Sequence, residues 1–339
     1  GVWLSSETLT QIVFTFLYVA GVYWMGGEIV SFGVILAMGS YVSRFWQPIT
    51  NLANIYNSFV NNIAYLERIF ETMDEPIEVG DAIDAKELPT LTGEVNFEHV
   101  NFGYEEGQTV LKDPNLHVRP GERIALVGPT GAGKSTVVNL LCRFYNLRGG
   151  KITLKCEDGS EQDISQVTLE SLRSQLGIML QDSFIFSGTI LSNIRYGKLD
   201  ATDEEVITAA KAVCAHEFID QMPQRYQTPV NERGSGLSQG QKQLIAFART
   251  LLSDPKILIL DEATSSIDTK TERLLQQGIE ALLKGRTSFI IAHRLSTIKS
   301  CDRILFIGDG GILEAGSHDE LMAKKGRYYD LYTAQMQTV

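Results

Sequence analysis

Residues Gly128-Pro129-Thr130-Gly131-Ala132-Gly133-Lys134-Ser135 follow the spacing G-x-x-x-x-G-K-[ST]. Glycines in this pattern let backbone N–H groups turn inward on phosphate oxygens, where a Cβ would clash. The apolar residues Ile124–Val127 before the loop read as a strand, and Thr136–Phe144 after it as a helix. A helix start adds its partial positive charge to the site. In that setting Lys134 reaches the β- and γ-phosphates of a nucleotide, and the Ser135 hydroxyl is a ligand for Mg²⁺.

A second candidate is Lys256-Ile257-Leu258-Ile259-Leu260-Asp261-Glu262, an apolar run that ends in two carboxylates. Such a strand delivers its acids to the carboxyl edge of a sheet, beside a phosphate loop. Asp261 is then placed to hold Mg²⁺ through water, and Glu262 to polarise an attacking water. An apolar run with acids at a solvated strand end reads the same way when alone; the phosphate loop in the same chain gives it meaning. Leu237-Ser238-Gln239-Gly240-Gln241 precedes a helical pattern. Ser238 and Gln241 fit a capping box, S-x-x-Q. The same helix start, with a Ser hydroxyl and the Gly240 N–H, also suits a γ-phosphate.

The elements that must carry these residues are α/β in pattern from Gly93 onward. Val95 and Phe97, then Val100, Phe102 and Tyr104, alternate as strand faces. Leu116–Val118 and Arg123–Val127 read as strands around the turn Pro120-Gly121, and a small antiparallel sheet is expected near 93–120. Ile257–Leu260 and Ser288–Ala292 are short, apolar and continuous, as strands covered on both faces are. Asp203–Val213 and Gln239–Leu251 have helical spacing. Residues 74–92 combine acids with Pro76, Gly80 and Pro89 and read as a linker. The expected division is 1–73, linker 74–92, and a large domain over 93–339.

Residues 1–43 contain no Lys or Arg, and all thirty basic residues lie at or after Arg44. Two apolar stretches, about Leu9–Met25 and Ile29–Val42, flank Gly26-Gly27-Glu28. Each is close to the shortest bilayer-spanning helix, about 17 residues. Arg44 and Trp46 then fit a helix leaving the hydrocarbon, with the remainder on the cytoplasmic side. Two buried helices of a soluble protein fit the lengths too. Ile49, Leu52, Tyr56, Phe59, Ile63, Leu66, Phe70 and Met73 form one stripe of a long helix suited to partner helices.

The formal net charge of −11 opposes a nucleic-acid binder, which needs a basic face. The four cysteines, Cys142, Cys156, Cys214 and Cys301, form no C-x-x-C pair and read as free thiols.

The phosphate loop, the Leu-Ser-Gln-Gly-Gln segment, the Asp-Glu strand and a following His293 stand in the order found in the ATP-binding cassette family, which the chain resembles over nearly its whole length. The N-terminal part is similar to the last two transmembrane helices of an exporter half-transporter of the multidrug or lipid type. The resemblance implies a P-loop NTPase fold of the α/β class. This fold has a RecA-like parallel sheet, an antiparallel β subdomain and a helical subdomain over about 182–245, preceded by transmembrane α-helices. It implies ATP and Mg²⁺ as cofactors, with Thr136 completing the ATP-binding loop. Tyr104 is similar to the aromatic residue that stacks on adenine. Gln181 in Leu180-Gln181-Asp182 is similar to the glutamine that links Mg²⁺ to the helical subdomain. Ser266-Ile267-Asp268 is similar to the loop touching the opposing nucleotide site, and His293 to a γ-phosphate switch. With Lys134 and Glu262, His293 forms the catalytic set. Thr228–Gly234 resembles an exporter-specific loop, with Glu232 at its acidic position and Asn231 where Gly is commoner.

Each carried-over residue also fits a plainer role: Tyr104 closing a strand, Gln181 as a surface amide, His293 as a core histidine. Gln239 departs from the family, where Gly is usual, and points to a weaker site served by this signature. The resemblance further implies two cassettes packed head to tail, each ATP held between the loop of one chain and the signature of the other. Closure on ATP would then move the 49–73 stripe and the membrane helices. The expected protein is a multi-pass cell-membrane exporter with a cytoplasmic cassette. Its partners are a second half-transporter (a different chain, from Gln239), membrane lipid and a transported small molecule, and no nucleic acid. A soluble cassette ATPase acting on DNA and a binding-only regulatory half are the alternatives; the acidic charge opposes the first and Glu262 the second.

Overall fold

The computed structural model describes residues 2–23, 32–105, 107–179, 184–261, 269–292 and 295–336. It divides into two units, residues 1–77 and 78–339.

The first unit is two helices, α1 (Val2–Tyr23) and α2 (Phe32–Met73). They meet where Gly39 faces the Phe14 ring so closely that a Cβ would collide with it. Pro48 lies inside α2. Among the described residues no helix is long and apolar enough to cross a membrane. Ser5, Ser6, Glu7, Thr8, Thr10, Gln11 and Thr15 dilute α1, and Arg44 cuts short the apolar part of α2. Residues 24–31, where the second apolar stretch was expected to begin, lie outside the described residues. The whole predicted stripe, from Ile49 to Met73, is exposed.

The second unit opens on β1 (Leu91–Phe102), whose alternating burial is the predicted strand pattern. β2 (Leu111–Lys112) and β3 (Leu116–Val118) pair with it antiparallel. β4 (Arg123–Val127) leads through the glycine loop into α3 (Lys134–Leu141). β5 (Gly149–Cys156) and β6 (Glu161–Asp163) then return to the antiparallel sheet, which runs β2-β1-β5-β6 with β3 also on β1. That sheet thus extends well past the 93–120 expected for it. Its later strand β5 alternates Ile152 and Leu154 with Lys151, Thr153 and Lys155 and pairs with β1, far earlier in the chain.

α4 (Leu169–Arg173) precedes β7 (Leu176–Met179). A helical segment follows: β8 (Gly188–Thr189), α5 (Ile190–Arg195), α6 (Asp203–Ala212), α7 (His216–Asp220), β9 (Pro229–Val230) and α8 (Gln239–Leu252). The chain closes with β10 (Ile257–Asp261), α9 (Thr269–Leu283), β11 (Thr287–Ile291), α10 (Leu295–Lys299), β12 (Arg303–Gly308), β13 (Gly311–Gly316), α11 (His318–Lys324) and α12 (Arg327–Met336).

The main sheet has the order β13-β12-β4-β11-β10-β7, parallel throughout except for the β12–β13 hairpin. The inner strands β4, β10 and β11 are apolar over most of their length because alternate residues enter two separate cores. Ile124, Leu126, Ile257, Ile259, Phe289 and Ile291 face one core with α3 and the antiparallel sheet. Ala125, Val127, Leu258, Leu260, Ile290 and Ala292 face the other with α5, α6, α8 and α9.

Residues 78–91 are fastened to the rest of the second unit. Arg143, buried and with φ 52°, donates to the carbonyls of Gly80 and Val167, both at 2.8 Å. Asn146 Nδ2 donates to Glu78 O at 2.7 Å, and Asp81 Oδ1 accepts from Leu169 N at 2.8 Å. Lys86 bridges Val167, and Gln175 Oε1 accepts from Leu91 N at 2.8 Å.

Candidate functional site

β4 is buried along Ile124, Ala125, Leu126 and Val127, and the chain emerges at Gly128. Gly128, Gly131 and Gly133 all have positive φ (141°, 81° and 102°), the region open to glycine. At Gly128 space is limiting as well, since a Cβ would run into the Ile307 carbonyl of β12. Gly133 is the N-cap of α3, so the helix starts at Lys134 and its first turn offers unbonded N–H groups to the loop. Ala132 N closes the turn on Pro129 O at 3.2 Å. Pro129, Thr130 and Ser135 are exposed, whereas Thr136 is buried.

The Lys134 ammonium donates to Gly128 O and Pro129 O, both at 2.8 Å. Burial lowers its pKa and the charge of Asp261 opposes that shift. An entering phosphate would compete with two neutral carbonyls for this ammonium, and a charged acceptor is the stronger. Asp261 ends β10 and is in register with Ile291 of β11, which pairs with β4 in turn. The sheet therefore brings Asp261 to the edge at which the loop leaves β4.

Glu262, Gln181, Ser266, Ile267, Asp268 and His293 lie outside the described residues. In the sequence Glu262 directly follows β10, Gln181 comes two residues after β7, and His293 two after β11.

Tyr104 stands past the end of β1, half-exposed. Its hydroxyl shares a 3.0 Å hydrogen bond with Thr136 Oγ1, one residue beyond Ser135 on α3. Its ring meets Phe102 and Tyr145 edge-on. No motif marked Tyr145.

The signature segment caps its own helix. Ser238 Oγ accepts from Gln241 N at 3.2 Å, and Gln241 Oε1 from Ser238 N at 2.9 Å. Leu237 and Gln239 are partly buried. Gly240 is fully packed, and a Cβ there would strike the Thr271 methyl of α9. α8 belongs to the core on one face of the sheet and α3 to the core on the other. The structure thus brings Tyr104, Thr136, Lys134 and Asp261 to one region and roots the signature helix on the far face.

Arg249, near the end of α8, escaped the sequence reading. It donates to Asn193 O (2.9 Å), Asn193 Oδ1 (3.0 Å) and Phe184 O (3.0 Å) and lies over the Phe186 and Tyr196 rings. Burial lowers its pKa. It ties α8 to the segment that follows Gln181. In the 228–234 loop, β9 pairs with β8, Asn231 O accepts from Gly234 N, and Arg233 has φ 59°.

A glycine loop between a buried parallel strand and a helix, with an antiparallel sheet on one face and a helical segment ending in a capped Ser-Gln-Gly-Gln helix on the other, defines an ATP-binding cassette. Residues 111–265 match the family profile described as ABC transporter, and the chain belongs to that family. It is 48% identical over 332 residues to an uncharacterized ABC transporter ATP-binding protein of Bacillus subtilis, covering 98% of this chain and 54% of that protein. It is 47% identical over 305 residues to a fatty acid ABC transporter ATP-binding/permease protein of Mycobacterium bovis, covering 90% of this chain and 47% of that protein. Among solved structures, a bacterial Atm1-family ABC exporter with ATP bound superposes with a TM-score of 0.72 at 38% identity, covering 98% of this chain and 57% of that one. The chain spans about half the length of the curated relatives it matches.

Proposed function

We propose that this chain is the ATP-binding and ATP-hydrolysing part of an exporter half-transporter, coupling hydrolysis to outward transport of a drug- or lipid-like small molecule. The observation that carries this reading is the glycine loop with its Lys134 ammonium beside Asp261 on the carboxyl edge of a parallel sheet. Gly128 to Thr136 bind the triphosphate, and Tyr104 stacks on adenine. Lys134 neutralises the β- and γ-phosphates.

Mg²⁺ fits the residues present. Ser135 offers an exposed hydroxyl and Asp261 a carboxylate, and Mg²⁺ takes one or two protein oxygens with phosphates and waters for the rest. When bound, the ion neutralises charge on the phosphate oxygens. Glu262 takes up the proton of the attacking water, His293 contacts the γ-phosphate, and Gln181 reports the occupied site to the helical segment.

The opposed roots of α3 and α8 support a two-chain site, in which Leu237 to Gln241 and Ser266-Ile267-Asp268 act on the partner's nucleotide. Gln239 favours a different chain as that partner. Although among the described residues neither helix is by itself long and apolar enough to cross a membrane, α1 and α2 then belong to a membrane domain completed by helices of the full-length protein and its partner, against which the exposed 49–73 stripe packs. The cassette lies in the cytoplasm.

The test is ATPase activity of the reconstituted transporter. Glu262→Gln should leave ATP binding intact and cut turnover by about 10² or more, while Lys134→Ala should weaken binding as well. Near-normal turnover in the Gln variant would refute the catalytic assignment, and full activity as a homodimer would refute the pairing.

A further inference from the structure

A stacking ring at the tip of a loop contributes to affinity only as far as its plane is fixed before the base arrives, because ordering it on binding consumes part of the gain. Tyr104 has such a position. Gly103 before it approaches the Gln108 carbonyl so closely that a side chain would not fit. Beyond that turn, Val110 N bonds back to Phe102 O at 2.8 Å.

Three groups hold the Tyr104 ring. The Thr136 hydroxyl bonds its tip at 3.0 Å. Phe102 meets it at 5.0 Å between centroids with the planes 86° apart. Tyr145 meets it at 5.0 Å and 85°. Tyr145 also leans on Phe102, at 5.6 Å, so the three rings close a triangle. Edge-to-face contacts are directional, and two of them fix the plane of the third ring.

The turn that carries Tyr145 is itself pinned. Arg143 is buried with its guanidinium on Val167 O and Gly80 O. Its carbonyl accepts from Arg173 Nη2 at 2.8 Å. On the other side, Asn146 donates to Glu78 O. Tyr145 is therefore a ring on a rigid mount, directly after the helix that begins the phosphate site.

We infer that Tyr145 is a positioning residue for nucleotide binding: through its ring it sets the plane of Tyr104 and so the preference for a purine base over a bare triphosphate. This rests on the reading that Tyr104 stacks adenine. Nothing in the inference uses the Tyr145 hydroxyl, so the ring alone carries the role.

The experiment titrates the full chain with MgATP and, separately, with Mg-tripolyphosphate, which has no base. Tyr104→Ala should weaken ATP on the order of tenfold or more and leave tripolyphosphate unchanged. Tyr145→Ala should weaken ATP by about two- to tenfold, the cost of ordering one side chain, again without touching tripolyphosphate. Tyr145→Phe should restore wild-type affinity, and adding Tyr145→Ala to Tyr104→Ala should have no further effect. If Tyr104→Ala weakens ATP while Tyr145→Ala does not, the positioning role is overturned and the base site stands. If Tyr104→Ala binds ATP as wild type does, the base site itself is wrong and the inference goes with it. Equal loss of ATP and tripolyphosphate in Tyr145→Ala would overturn it too, since that marks a damaged phosphate loop.

Discussion

Gly240→Ala separates packing from ligand binding in the signature. Gly240 is the second residue of α8, where alanine is the better helix former by up to about 1 kcal/mol. The added methyl would stand inside contact distance of the Thr271 methyl on α9. Thr is stiff at χ1 and does not swing aside freely. Overpacking of this kind costs about 1–3 kcal/mol, so the expected net loss is about 1–2 kcal/mol. Thermal unfolding followed by far-UV circular dichroism without nucleotide should register it as a fall of about 2–4 °C per kcal/mol for a unit of this size. Thr271→Ser keeps the hydroxyl and removes the offending methyl. In that background Gly240→Ala should be neutral or slightly stabilising. An equal penalty in both backgrounds would refute the packing account, because coupled neighbours must be non-additive.

Arg143→Met should cost about 2–4 kcal/mol by leaving two carbonyls without their charged donor. It should also expose residues 78–91 to limited proteolysis; an unchanged cleavage rate there would sink the anchoring role. Glu205 is held down to about 2, first by the Lys198 ammonium and then by the Thr202 N–H at the start of α6. Its folded value is depressed, so its contribution is complete above the ordinary value of 4.5 and is lost as pH falls toward 2. A carboxyl NMR titration should find the Glu205 midpoint near 2, and Glu205→Gln should remove this part of the acid sensitivity. A midpoint in the ordinary carboxylate range would disprove the arrangement.

What the sequence made legible was local. The glycine loop, β4, β10 and α8 with its Ser238–Gln241 box each depend on neighbours a few residues apart. Tyr145 reaches Tyr104, Arg249 reaches Asn193, and Arg143 reaches Gly80, pairings that span tens of residues and leave no periodic trace. The acids and prolines of 74–92 read as a tether. Yet residues 78–91 lie along the rest of the second unit through backbone carbonyls and N–H groups, which composition does not encode. The later strand β5, with Thr153 between Ile152 and Leu154 and Lys151 and Lys155 on either side, pairs with β1 tens of residues earlier, a partnership that no local pattern encodes.

The alternation of the main strands between two cores divides the chain's tolerance for change. A substitution at Leu258 is felt by α8 and its neighbours, whereas one at Ile259 is felt by α3 and the antiparallel sheet. Every second position therefore drifts with one set of partners and is indifferent to the other. Two related cassettes could exchange the residues and helices of one face as a block, keeping the strand backbones, and produce a chimera in which each core is still wholly of one parent.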